Sequence, residues 1–158
     1  MAVRIRHQSL DTFHRDLAGG KEIESKHLKI IQESYPDAHL IDGYCKEYDI
    51  WIPSENFGIE IKSDKMSQDT GNIVVEINFH DKPSALSTTK AKYWIFDTGV
   101  KSIIVPVDKL RELVKQFKTK KFIARGDSWE KEAYLIKQHF IEDISISGFK
   151  MGALDYLF

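Results

Sequence analysis

Apolar and polar positions alternate along Tyr48-Asp49-Ile50-Trp51-Ile52 and again along Phe57-Gly58-Ile59-Glu60-Ile61-Lys62. A period of two marks strands with one buried face. Pro53-Ser54-Glu55-Asn56 lies between them as a turn, so the pair predicts a hairpin. Upstream the period changes to that of a helix, predicted from about Ala18 to Tyr35, with Gly19-Gly20 near its start and Pro36 past its end. Ile23, Leu28, Ile30, Ile31 and Tyr35 fall on one side of that helix, Glu24 and His27 fall within the same side, and Glu22 points away. After a polar loop over Asp64–Asn72 comes a strand at Ile73–Phe79, then a turn into a helix over Lys82–Lys92. The unbroken apolar run Tyr93-Trp94-Ile95-Phe96 predicts a buried inner strand, and Lys101–Val107 another. Asp108 is expected to cap a helix whose stripe is Leu110, Leu113, Val114 and Phe117. Asp127-Ser128-Trp129-Glu130 has the form of a capping box opening a helix with Trp129, Ala133, Ile136 and Phe140 on one face. The core order is therefore α, β, β, β, α, β.

The hairpin also carries chemistry. Residues two apart in a strand share a face, so Glu60 and Lys62 project together while Ile59 and Ile61 project to the other side. Asp49 and Glu60 can hold a hard divalent cation through oxygen, and Lys62 can orient a water beside a phosphate. A Glu-x-Lys pair on a strand is also a common solvated charge pair. The apolar setting of Ile50, Trp51, Ile52, Ile59 and Ile61 argues that these charges have a purpose. Glu24 is a carboxylate on the core-facing side of its helix, where a glutamate is unusual unless paired or bound to metal. His27 fits a satisfied interior histidine better than a ligand. Glu76 is either an acid at the edge of the site or part of an exposed strand face.

Asp49, then ten residues, then Glu60-Ile61-Lys62 resembles the signature of the PD-(D/E)XK nuclease superfamily. Tyr48 stands where that family often has proline, a position without chemistry. Ser63-Asp64, Thr70-Gly71-Asn72, Glu76 and the segment Pro83-Ser84 to Thr88-Thr89-Lys90-Ala91 extend the likeness over about residues 16–106, toward small phage- and virus-type endonucleases similar to Holliday-junction resolvases. The resemblance implies an α/β class with a restriction-endonuclease-like αβββαβ core, a central mixed sheet flanked by helices. That core would span about residues 16–118 of a single domain, with 119–158 a C-terminal helical extension. It further implies metal-dependent hydrolysis of DNA phosphodiesters, selective for branched DNA. Asp49, Glu60, the Ile61 carbonyl and Glu24 would be at a magnesium ion that manganese can replace, with Lys62 at the attacking water. Ser63, Thr70, Asn72, Ser87, Thr88, Thr89 and Lys90 would contact nucleic acid. A two-fold homodimer would match a four-way junction. A sequence-specific or RNA-directed endonuclease, or a non-catalytic nucleic-acid-binding module, remains an alternative.

Composition sets the frame for this chemistry. The 158 residues are 42% hydrophobic and 30% charged, enough for one globular domain with a real core. A net charge of −1 argues against coating nucleic acid by bulk charge, while leaving room for a local basic face. The single cysteine, Cys45, forms no disulfide within the chain, and no run approaches a membrane span, so a cytoplasmic location without membrane contact is expected. Lys115, Lys118, Lys120, Lys121 and Arg125, interleaved with Phe117 and Phe122, form the densest basic stretch, either a solvated surface or a phosphate-facing one. The ending Gly148–Phe158 is apolar and suits docking on a partner subunit.

Overall fold

The computed structural model describes residues 10–43, 47–118, 120–123 and 130–147. Cys45, Arg125, Asp127–Trp129 and the apolar ending lie outside them. The protein is α/β, with a mixed five-stranded sheet, a separate four-stranded sheet and helices packed around them.

The five-stranded sheet runs β1 (His39–Leu40), β2 (Ile50–Ile52), β3 (Phe57–Ser63), β6 (Tyr93–Asp97), β7 (Ser102–Pro106). The expected hairpin is β2–β3, antiparallel, with Ile50 opposite Ile59 and Ile52 opposite Phe57. Its turn closes through Glu55 N–H to the Ile52 carbonyl and Asn56 N–H to the Pro53 carbonyl, both at 3.2 Å. Asn56 takes the left-handed conformation that asparagine tolerates, at φ 55°. Asp37 clamps the turn from outside, accepting from Ser54 N–H at 2.6 Å and Ser54 Oγ at 2.9 Å. β3 then pairs in parallel with β6, and β6 antiparallel with β7. Trp94, Ile95 and Phe96 are buried between these neighbours, as the unbroken apolar run predicted.

Gly58 makes a close approach. A Cβ there would stand 2.1 Å from the Tyr48 ring and 2.8 Å from the Tyr48 Cβ, and that ring stacks on Trp51 at 5.3 Å. The clash is with the root of the side chain, so Tyr48 cannot swing clear without moving the backbone beside Asp49. Gly58→Ala is expected to cost about 1–3 kcal/mol by overpacking. Chemical denaturation checks this; a midpoint equal to the parent's would show that Tyr48 is free to leave.

Several expectations about elements are corrected. The first helix, α1 (Leu10–Ser34), begins before Ala18 and runs through Gly19-Gly20. Ile73–Phe79 is a strand, β4 (Asn72–Phe79), but it leaves the first sheet. It joins β5 (Lys82–Pro83), β9 (Glu130–Lys137) and β8 (Lys120–Ile123) in the order β5-β4-β9-β8. The helix expected within Lys82–Lys92 is a single 3-10 turn at Ala85–Ser87, because the run Ser87-Thr88-Thr89 has low helix propensity. Among the described residues of the C-terminal extension, β8 and β9 predominate, and the helix there is α4 (Gln138–Asp143).

α2 (Ser67–Thr70) forms one turn inside the polar loop, closed by Gly71 at φ 71°. α3 (Val107–Val114) carries the expected stripe, with Leu110, Leu113 and Val114 buried and Phe117 packed edge-on to Phe140 at 5.4 Å. Its N-cap is Pro106 rather than Asp108, which sits in the first turn. One hydrophobic cluster draws on both sheets, joining Ile73, Val75 and Ile136 to Ile59, Ile95 and Phe96. No helix among the described residues is long and apolar enough to cross a membrane.

Candidate functional site

The β2–β3 pairing ends at Ile50 opposite Ile59; beyond it Asp49 N–H donates to the same Ile59 carbonyl at 3.0 Å, one residue off that register. Asp49 is 5% exposed, and its Oδ2 accepts from Ile61 N–H at 2.7 Å. The carboxylate thus takes up a strand N–H where β2 has run out, which fixes its position. Lys62 Nζ lies 3.0 Å from Glu60 Oε1 and 5.1 Å from the Trp94 ring centroid. Glu60 pairs in register with Trp94, so the indole forms the floor beneath both charges.

Glu60, Lys62 and Trp94 open on a cleft of about 450 Å³, whereas Asp49, expected at the same site, does not line it. Glu60, Lys62 and Trp94 form one wall, Thr88, Thr89 and Lys90 another, and Glu47 and Glu76 complete the rim. Thr89 Oγ1 accepts from Trp94 Nε1–H and from Ala91 N–H, both at 3.2 Å, which ties the hydroxyl segment to the floor. Glu76 accepts from Ser84 Oγ at 2.7 Å and lies 3.8 Å from Lys131 Nζ. Three carboxylates and two ammonium groups line the cleft, with Lys131 beside Glu76 as a third cation. Among the described residues, however, no three His, Cys, Asp or Glu side chains are grouped closely enough to hold an ion by themselves.

The remaining expected residues fall elsewhere. Glu24 is half-buried on α1 and does not line the cleft, whereas Glu22 is exposed. The reason lies in strand alternation. Asp97 is three residues beyond Trp94 on β6, on the opposite face, and that is where α1 docks: fully buried His27 places Nε2 2.8 Å from Asp97 Oδ2, and Lys26 Nζ lies 3.0 Å from the same oxygen. Asp97 Oδ1 accepts Gly99 N–H at 2.8 Å. The His27 hydrogen bond, with further help from Lys26 and Gly99, holds the Asp97 carboxyl well below the usual carboxylate range. Ser63 is exposed at the end of β3, and Ser87 is exposed beside the cleft. Thr70 and Asn72 line a different groove, with Lys101 and Lys137. Asp64 is used structurally: Oδ2 accepts Val74 N–H at 3.0 Å, and burial pushes its carboxyl up against that bond.

Sequence reasoning missed Trp94 and Glu47 as cleft residues. Trp94 was legible as core and its edge doubles as floor. Glu47 carried no periodic signal. Comparison with protein-family models, with curated proteins and with solved structures finds no match to this chain. The chemistry of the cleft therefore rests on its own geometry.

Proposed function

We propose that this chain is a metal-dependent endonuclease that hydrolyses DNA phosphodiester bonds at the cleft beside β3. The observation that carries the reading is the Glu60–Lys62 pair on one face of β3, facing Thr88, Thr89 and Lys90 across the cleft, with buried Asp49 held on the Ile61 N–H between them in sequence. Membership of the PD-(D/E)XK superfamily belongs to the same proposal. The antiparallel hairpin followed by parallel β3–β6 pairing supports it, and the departure of β4 to a second sheet is a difference from the expected αβββαβ core.

Asp49 and Glu60, with the Ile61 carbonyl, are the oxygen donors that would hold magnesium, or manganese in its place. Magnesium suits such a set because it takes one or two carboxylates and keeps several waters. When bound, it supplies positive charge beside the phosphoryl oxygens and lowers the pKa of a water. Lys62 then orients the attacking water, its stem steadied on Trp94. Thr88 and Lys90 on the facing wall donate to the phosphate oxygens. Ile61 N–H keeps Asp49 from rotating away. In-line attack leaves a 5′-phosphate and a 3′-hydroxyl.

One observation favours a second reading, a nucleic-acid-binding module without cleavage: Lys62 already pairs with Glu60, as a plain ion pair would. Cleavage assays separate the two. On the nuclease reading the substrate is branched DNA and the working form a homodimer, whose two-fold axis suits paired nicks across a four-way junction. A four-way junction is then cut about tenfold faster than linear duplex of the same sequence, a factor equal to about 1.4 kcal/mol. Light scattering gives twice the 18.3 kDa chain mass. Equal rates on both substrates, or a monomer, would remove the branched-DNA part of the proposal.

A further inference from the structure

A second cavity lies away from the cleft, a groove of about 860 Å³ between α2, the β6–β7 turn and the start of α4. Its walls offer the groups that phosphate-backbone contacts use: the amides of Gln68 and Asn72, the Thr70 hydroxyl, and the cationic side chains of Lys101 and Lys137 beside His139. The frame is rigid. Gln138 N–H donates to the Gly71 carbonyl at 2.9 Å, Gln68 Nε2 donates to the Thr98 carbonyl, and Lys101 is ion-paired with Glu142. With Lys101 partly neutralised by Glu142, exposed Lys137 is the cation best placed to meet an incoming anion.

β4 links this groove to the cleft. Asn72 lines the groove and Glu76 lines the cleft, and residues four apart in a strand share a face. Between them on that face are Val74, 39% exposed, and its cross-strand partner Leu135, 38% exposed. The two cavities are thus joined by an open apolar step about 13 Å long at roughly 3.3 Å per residue. One DNA strand advances about 3.4 Å per nucleotide along the helix axis. The step therefore spans about four nucleotides.

We propose that this groove is a second DNA-backbone site, holding phosphates about four nucleotides from the bond placed in the cleft, with Lys137 as its principal phosphate contact. The inference rests on the nuclease reading for its ligand, and its test is independent of cleavage. Lys137 pairs in register with Asn72, so both walls of the groove entrance come from one β4–β9 step.

The experiment measures binding of a labelled four-way junction and of a linear duplex in EDTA, across a salt series, for the parent, Lys137→Glu, Lys137→Ala and Lys109→Ala. Lys109 is an exposed lysine on α3 outside both cavities and serves as the charge control. Loss of one phosphate contact lowers the salt slope by about 0.9 and weakens binding by about fivefold to tenfold at ~0.1 M salt. Lys137→Ala is expected to show both changes, Lys137→Glu larger ones, and Lys109→Ala neither. Thermal melting equal to the parent's excludes unfolding as the cause. Affinity and slope unchanged in both Lys137 variants would overturn the groove while leaving the cleft untouched. Equal losses in Lys109→Ala would overturn it too, as a bulk-charge effect. A parent that binds DNA without cutting it leaves the groove fully testable and counts against the nuclease reading alone. A parent that binds no DNA overturns both.

Discussion

Lys62→Ala lowers strand cleavage by about a hundredfold or more, the range expected when a group that positions a proton or a water is removed. Glu60→Gln does the same by a different route, since it removes a charged oxygen donor and retains the shape of the side chain. The two variants should therefore part in metal binding. Calorimetric titration with manganese is expected to show weakened binding for Glu60→Gln and near-parental binding for Lys62→Ala. Neither change should unfold the protein, because both side chains are partly exposed, at 21% for Glu60 and 35% for Lys62. DNA binding should persist in Lys62→Ala through Thr88, Lys90 and the rest of the surface. Parental cleavage rates in either variant would place the chemistry elsewhere.

The second large effect is on stability. Asp97→Ala removes the carboxylate that buried His27, Lys26 and Gly99 N–H all use, and it leaves an imidazole with no exposure facing an empty site. A cost of about 2–4 kcal/mol is expected, from the loss of charge-assisted hydrogen bonds and the desolvated groups left behind. The Lys26 contact adds little, because that side chain is 56% exposed. An ionised carboxylate only accepts, so Nε2 of His27 carries the hydrogen. The pH dependence follows from the depressed Asp97 carboxyl. Its stabilising contribution is complete above the unfolded carboxyl's pKa of about 3.9 and is lost as pH falls toward the lower folded value. Stability of the parent should fall steeply below about pH 4, and Asp97→Asn should be less stable at neutral pH with a flatter acid limb. Urea denaturation from pH 7 to 2 checks both. Parallel curves for parent and variant would show that Asp97 titrates normally.

How much of this was legible in the sequence depended on whether the determining contact was local. The β2–β3 hairpin follows from alternation around Pro53–Asn56, and the common face of Glu60 and Lys62 follows from alternation within β3; the place of Asp49, set by its bond to Ile61 N–H, does not. The helical phase of α1 put His27 inside and Glu22 outside, as found, but gave no hint of Asp97, seventy residues on. Placing Glu24 on a core-facing side was therefore right in phase and silent on which face of the sheet that core was. β4 was legible as a strand, but its partners β9 and β5 are set by packing that alternation does not encode. β9 misled for a physical reason. Ala133 and Ile136 are three apart and both fully buried, a helical spacing, yet they project to opposite faces of a strand covered on both sides there. Glu, Ala, Leu and Lys favour helix, and tertiary pairing with β4 outweighs that preference.

The central claim is that the cleft lined by Glu60 and Lys62, with Asp49 held on Ile61 N–H, cuts DNA with the help of a divalent ion. Purified protein incubated with four-way junction, linear duplex, flap, single-stranded DNA and RNA, in magnesium, manganese or EDTA, tests it most directly. The account predicts cleavage of DNA in either metal, abolished by EDTA, with 5′-phosphate ends and the four-way junction cut fastest. Intact substrates under every metal condition, or cleavage that persists in EDTA, would contradict it.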